Sequence, residues 1–313
     1  MLFAAATDHR YLDGGHTLDF VNKALEALDT AGWERAETVL ASLAPQLAFA
    51  ERMEESNTWR NPVDLVALLE DAFARLPEPR PSGEWSGRQE LVGVVLGGEA
   101  AEILDALLAA LDEGAGVVEL ASAITFAAAT RIARFPTSNE YADWDTALHT
   151  FTFANAVEQG LRRSPSRELL RGVLDAAMSV HLDRFLNVPA VRLPTPQEGA
   201  DLEELPRLLD AQQQVDEAGQ LVASCLGAGG DPQRLIAALG ACLLREDRNF
   251  HTIQCVEAAV RQHELTGEGL PLLAAARYLA AHAPTARAQR QTYEIARRLH
   301  RGERVYEDEP EAA

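Results

Sequence analysis

Apolar residues recur at three- and four-residue spacing in about a dozen segments, near 17–29, 35–54, 63–75, 98–112, 117–133, 140–162, 166–182, 202–225, 232–245, 250–263, 268–282 and 286–300. That period belongs to amphipathic helices, each turning one stripe towards a core. Gly, Pro and Asp punctuate the segments. The longest breaks are Pro77 to Gly83 and Asn187 to Ala200, the latter holding Pro189, Pro194 and Pro196. Both are short enough to be surface loops. The pattern predicts a single all-α domain over 1–313, a helical bundle of about a dozen helices with two loosely similar halves.

Composition strengthens the helical reading. Aromatic residues make up 6% of the 313 positions, and the long stretches are rich in Ala, Leu, Arg and Glu, all good helix formers. A net charge of −20 repels phosphate backbones and anionic lipid, so neither nucleic acid nor a membrane surface is expected as a partner. Cys225, Cys242 and Cys255 are odd in number and lack C-x-x-C spacing, which suits a reducing compartment and no cysteine-based metal site. The start, Met1 to Ala6, has no basic flank, and no apolar run approaches the roughly 20 residues a bilayer span needs. A cytoplasmic location is expected.

Familiar catalytic motifs are missing. There is no H-E-x-x-H, no Walker loop and no G-x-S-x-G, and Gly227-Ala228-Gly229-Gly230 lacks the context of a dinucleotide fingerprint. Chemistry is carried instead by histidines in a repeated setting. His16-Thr17, His149-Thr150 and His251-Thr252 each open a helical stretch. The first two share a Phe four residues on (Phe20, Phe153) and an Asn six residues on (Asn22, Asn155), where the third has Cys255 and Glu257. This is a degenerate internal His-Thr repeat. One histidine from each of several helices is how a bundle builds a metal centre.

Asp145 and Asp247 stand four residues before His149 and His251, and Asp13 three before His16. On a helix, four residues return to the same face, so these carboxylates are expected to orient the imidazoles or to ligate the metal. His9, seven residues before His16 across Gly14-Gly15, and His181 are further candidate ligands. His263, His282 and His300 lie near helix ends among charged residues and are left as solvated or capping groups. Lys23 is the only lysine in the chain and follows His16 by two turns. An amine, unlike a guanidinium, can add CO₂ and become an anionic carbamate ligand, and an ordinary salt bridge is the structural alternative. The polar stretch from Arg52 to Asp64 reads as a helix cap at Ser56 or Asn61, or as a pocket wall at Trp59 and Arg60.

On Gly15-His16-Thr17, Ala147-Leu148-His149, Asn249-Phe250-His251, the Glu54-Glu55-Ser56 to Pro62 segment and Asp183-Arg184-Phe185-Leu186-Asn187-Val188-Pro189, the chain resembles the questin oxidase-like family. It also resembles the histidine-rich helical region that accompanies a Rieske domain in some bacterial proteins. The resemblance spans most of the chain through short motifs. It implies an all-α, non-haem iron oxygenase that opens rings of aromatic polyketides with O₂, its iron held by several histidines. His16, His149 and His251 match; His9, His181 and Lys23 are looser assignments. No C-x-H paired with C-x-x-H is present, so a separate electron donor, a reductant or the substrate must supply electrons. Imidazoles also suit Zn or Cu. A zinc hydrolase and a helical-repeat interaction scaffold without metal are the competing readings.

Overall fold

A computed structural model describes residues 1–53, 63–80 and 84–304, and among these it contains α-helices and short 3-10 turns but no β-strand. The segment from Glu54 to Pro62 that carries part of the family resemblance, with Ser56, Trp59, Arg60 and Asn61, lies outside the described residues. In chain order the helices are α1 (Leu2–Ala6), α2 (His16–Ala31), α3 (Ala36–Ala41), α4 (Ala44–Phe49), α5 (Leu65–Arg75), α6 (Arg88–Gly97), α7 (Ala100–Asp112), α8 (Val117–Ala133), α9 (Tyr141–Arg163), α10 (Arg167–Leu182), α11 (Leu205–Leu208), α12 (Val215–Gly227), α13 (Pro232–Arg245), α14 (Phe250–Thr266), α15 (Leu270–His282) and α16 (Ala288–His300). Twelve of them run ten residues or longer. The fold is all-α, as the periodicity predicts. No helix among the described residues is long and apolar enough to cross a membrane.

Two segments break where the sequence reading expects continuity. The stretch 35–54 divides into α3 and α4 because Pro45 sits in the first turn of a new helix, where its missing N–H costs nothing. The stretch 202–225 divides into α11 and α12. One helix, α6, escapes the periodicity. Its Leu91, Val92 and Val95 are buried but its sequence has no polar stripe, and Gly93 and Gly97 weaken it as a helix former.

Contacts group the chain into two compact units, Met1–Leu193 with Ala258–Ala274, and Pro194–Glu257 with Ala275–Ala313; helices α14 and α15 have residues in both. In the first unit α8 is the central element, packed on α6, α9 and α10. It is buried on nearly every side, and its alanines Ala123, Ala127, Ala128, Ala129 and Ala133 let neighbouring helices approach closely. Helix α9 lies between α8, α10 and α2. That packing lays α2, which begins at His16, beside the helix that carries His149.

The second unit is tied by a charged hub. Glu246, almost fully buried, accepts hydrogen bonds from Arg287, from the Thr285 hydroxyl at 3.0 Å and from the Thr285 N–H at 2.9 Å. Arg245 pairs with the same carboxylate at 3.0 Å, and Asp210 receives both Arg245 and Arg287. Burial alone would push the Glu246 carboxyl up, but the hydrogen bonds from Arg287 and Thr285 outweigh it and hold the group below the usual glutamate range.

Candidate metal centre

The loop before α2 is built for close approach. Tyr11, Asp13, Gly14 and Gly15 all have positive φ, a region that costs a side chain of ordinary shape about 1–2 kcal/mol. A Cβ on Gly15 would stand 2.7 Å from Cβ of Phe153 and 3.1 Å from the Tyr11 ring, so only glycine fits; one on Gly14 would reach 4.0 Å from His149 Nδ1. Asp13 fastens the loop. Its carboxylate accepts from the Glu51 N–H at 2.7 Å and from the Thr17 hydroxyl at 3.2 Å, and its own N–H donates to the Glu51 carbonyl. The chain is thereby bent onto α9, and His16 becomes the first residue of α2.

His149 lies in the interior of α9, which starts at Tyr141, so this copy of the repeat does not open a helix; His16 and His251 do stand in the first turn of theirs. What the three copies share is the threonine. Thr17, Thr150 and Thr252 are all buried, and each hydroxyl donates to an oxygen: Asp13, Asp183 (2.7 Å) and the Asn249 carbonyl. Tyr11 joins this scheme. Thr150 spends its proton on Asp183, so the Tyr11 hydroxyl 3.4 Å away must donate to Thr150. Burial, and then the Asp183 charge, hold the Tyr11 phenol well above its ordinary value, which keeps it a neutral donor.

His251 is carried by α14, and the same helix is anchored further along by Gln262. The Gln262 amide donates to Asn155 Oδ1 and Glu158 Oε2 of α9, both at 2.9 Å. Glu158 is fully buried, with Arg162 completing its coordination at 2.7 Å. His149 precedes Asn155 and Glu158 on α9, and His251 precedes Gln262 on α14. Asn155, singled out by the repeat, thus serves as an acceptor that holds α14.

One ring nitrogen each of His16, His149 and His251 lies within 4.8 Å of the others. The rings of His16 and His149 meet edge to face at 4.6 Å, and all three side chains are half-buried, so a solute can reach them. A tetrahedral ion with metal–nitrogen bonds near 2.1 Å needs nitrogens about 3.4 Å apart, within reach of small rotations from this arrangement. Three histidines therefore lie close enough to bind one metal ion. Among the described residues the group holds no carboxylate or thiolate. Phe20 and Phe250 flank it, 6.3 Å from the His16 ring and 5.6 Å from the His251 ring, and both are partly exposed.

The other candidates fall elsewhere. His181 is completely buried, and Arg184, which can only donate, sits 2.8 Å from Nε2; that nitrogen is the acceptor, and Nδ1–H donates to the Gly98 carbonyl at 3.1 Å. Burial, with the Arg184 charge beside it, pushes its pKa down to about 4. Its lone pair is already taken, so His181 is a structural imidazole and not a ligand. His9 is outside the group as well, with Nε2 3.5 Å from Asp8; residues 7–15 are not α-helical, so no shared helical stripe carries it to His16.

Asp247 does not orient His251. Helix α14 begins at Phe250, so the four-residue rule fails at this position, and the carboxylate instead accepts from the Gln289 N–H at 3.1 Å at the start of α16. Backbone N–H groups of Ala288, Gln289 and Arg287 hold it below the usual aspartate range. Asp145 does share α9 with His149, one turn earlier, and is half-buried. The Lys23 amine pairs with Glu26 at 3.0 Å, a residue further from His16 along α2, and takes the salt-bridge alternative rather than a place among the ligands. Asp13 fastens its loop and leaves the imidazole of His16 to other partners. Tyr11 and Gln262 carried no signal in the sequence beyond their polarity, and Asp183 stood out only as the start of the Asp183 to Pro189 motif. No family model, curated protein or solved structure matches the chain, and the chemistry of this site is read from its own geometry.

Proposed function

We propose that His16, His149 and His251 hold a catalytic transition metal and that the protein is a non-haem, metal-dependent oxygenase acting on an organic substrate. The observation that carries this reading is the convergence of three imidazole nitrogens within 4.8 Å from three helices. A half-buried donor set keeps coordination positions open to a substrate. When bound, the metal would supply Lewis acidity and a route to O₂ chemistry. The chain's part is to fix the imidazoles through the loop at Gly14-Gly15 and the Gln262 anchor, with Asp145 as an orienting carboxylate for His149. Electrons would come from the substrate or a separate donor.

A zinc hydrolase is the second reading, favoured by one specific feature. Three histidines without a carboxylate form the protein ligand set of some catalytic zinc sites, whereas many non-haem iron oxygenases use two histidines and one carboxylate. Metal identity in the purified protein, followed by O₂ uptake with Fe²⁺ supplied anaerobically and a panel of phenolic substrates, separates the two. Iron content with substrate-dependent O₂ consumption supports the oxygenase. Zinc content with ester or amide hydrolysis and no O₂ uptake overturns it.

A further inference from the structure

A cavity of about 320 Å³ opens in the first unit, where the residues just before α6 and the first two turns of α8 meet the ends of α9 and α14. That is room for a small molecule. It lies apart from the histidines, because Arg162 on its wall follows His149 by thirteen residues of α9, about 20 Å along the axis. Trp85, Val118 and Leu265 give it apolar walls. Its polar groups carry both signs of charge. Glu119 accepts from the Gly116 N–H at 2.7 Å through Oε2, and its Oε1 has no donor among the described residues. Ser122 stands one turn further along α8. Thr125 and Thr130 on the same helix donate to the carbonyls four residues back, whereas the Ser122 hydroxyl, on a side chain only 9% exposed, has no partner among the described residues. Arg162 gives Nε and Nη2 to Glu158 and leaves both N–H groups of Nη1 unused. Arg88, the other cation on the wall, is already engaged, since both its Nη atoms donate to Glu268 and its guanidinium lies over the Phe126 ring.

We propose that this cavity binds a small zwitterion with an apolar side chain, the chemistry of a free α-amino acid. A carboxylate alone would face Glu119, and an amine alone would face Arg162. A ligand that carries both groups meets an opposite charge with each. The Arg162 Nη1 and the Ser122 hydroxyl donate to its carboxylate, Oε1 of Glu119 accepts from its ammonium, and its side chain leaves water against Trp85, Val118 and Leu265. Ser122 explains the selectivity for a carboxylate end, because a nearly buried hydroxyl without a partner destabilises the empty fold and gains an acceptor only when that group is in place.

Calorimetric titration of the full chain tests this with L-leucine, L-methionine and L-phenylalanine, each beside the same acid without its amine and the amide without its carboxylate. At least one amino acid should saturate one site per chain, with both of its analogues about tenfold weaker. Ser122→Ala should weaken that amino acid about three- to tenfold without lowering the melting temperature, which serves as the control for folding. Glu119→Gln keeps an oxygen for the Gly116 N–H and should bring the amino acid and its deaminated analogue to within about twofold of each other. Absence of saturable binding by all three amino acids up to about 10 mM overturns the proposal. So does a deaminated acid that binds wild type as tightly as its parent, or wild-type affinity in both variants. Chelated and metal-loaded chains should behave alike, so the outcome does not depend on the metal centre.

Discussion

The imidazoles of His16 and His149 meet edge to face, with ring centroids 4.6 Å apart and planes at 84°. They come from different helices, and the His16 ring reaches its partner through a backbone that bends sharply just before it. Gly14 and Gly15 provide that bend, and Phe153, on the same helix as His149, is the wall against which it packs.

Gly15→Ala tests this dependence. The new Cβ meets Phe153 and Tyr11 inside van der Waals distance at a φ of +96°, so the loop must shift. The expected cost is about 1–3 kcal/mol in denaturant unfolding, with metal affinity reduced about tenfold because the first residue of α2 moves. A variant with wild-type stability and affinity would show that the loop does not position His16.

Lys23→Arg should keep both stability and metal content, because a guanidinium can preserve the pair with Glu26. Lys23→Met should cost only about 0.2–0.5 kcal/mol, the usual scale of an ion pair within one helix. Loss of metal in Lys23→Arg, measured by elemental analysis, would instead point to an amine with a chemical task.

Acid should weaken the second unit through Glu246. Its folded-state pKa lies below the unfolded value, so its contribution is complete above the ordinary glutamate range and fades as pH falls through the folded pKa. Melting temperature should therefore hold from neutral pH to about 5 and drop below about 4.5. Glu246→Gln should lower stability at neutral pH by about 1–3 kcal/mol and flatten that drop. An equally steep acid decline in the variant would assign it to other carboxylates.

Periodicity revealed the helices because most have one dry face, and it failed at α6, where the positions facing away from Leu91, Val92 and Val95 are filled after Glu90 by Gly93, Val94, Leu96 and Gly97 instead of polar residues. The His-Thr repeat exposed the three converging histidines because their buried threonines impose a common neighbour. The four-residue rule misplaced Asp247, since it presumes a helix that has not yet begun there, and His181, added as a further candidate outside the repeat, has partners in Gly98 and Arg184 that only tertiary packing and chain reversal bring to it. Gln262 was illegible for a related reason. A glutamine on a helix reads as a surface residue until the fold buries it.

The central claim is that His16, His149 and His251 form one metal site, and metal stoichiometry tests it most directly. The full chain is stripped by chelation, reloaded anaerobically with Fe²⁺, Zn²⁺ or Co²⁺ in turn, desalted and assayed for bound metal, alongside His16→Ala, His149→Ala and His251→Ala. Wild type should hold roughly one ion per chain tightly for at least one of these metals, and each of the three variants should lose most of it. Wild type that retains none of the three metals, or variants that hold as much as wild type, would contradict it.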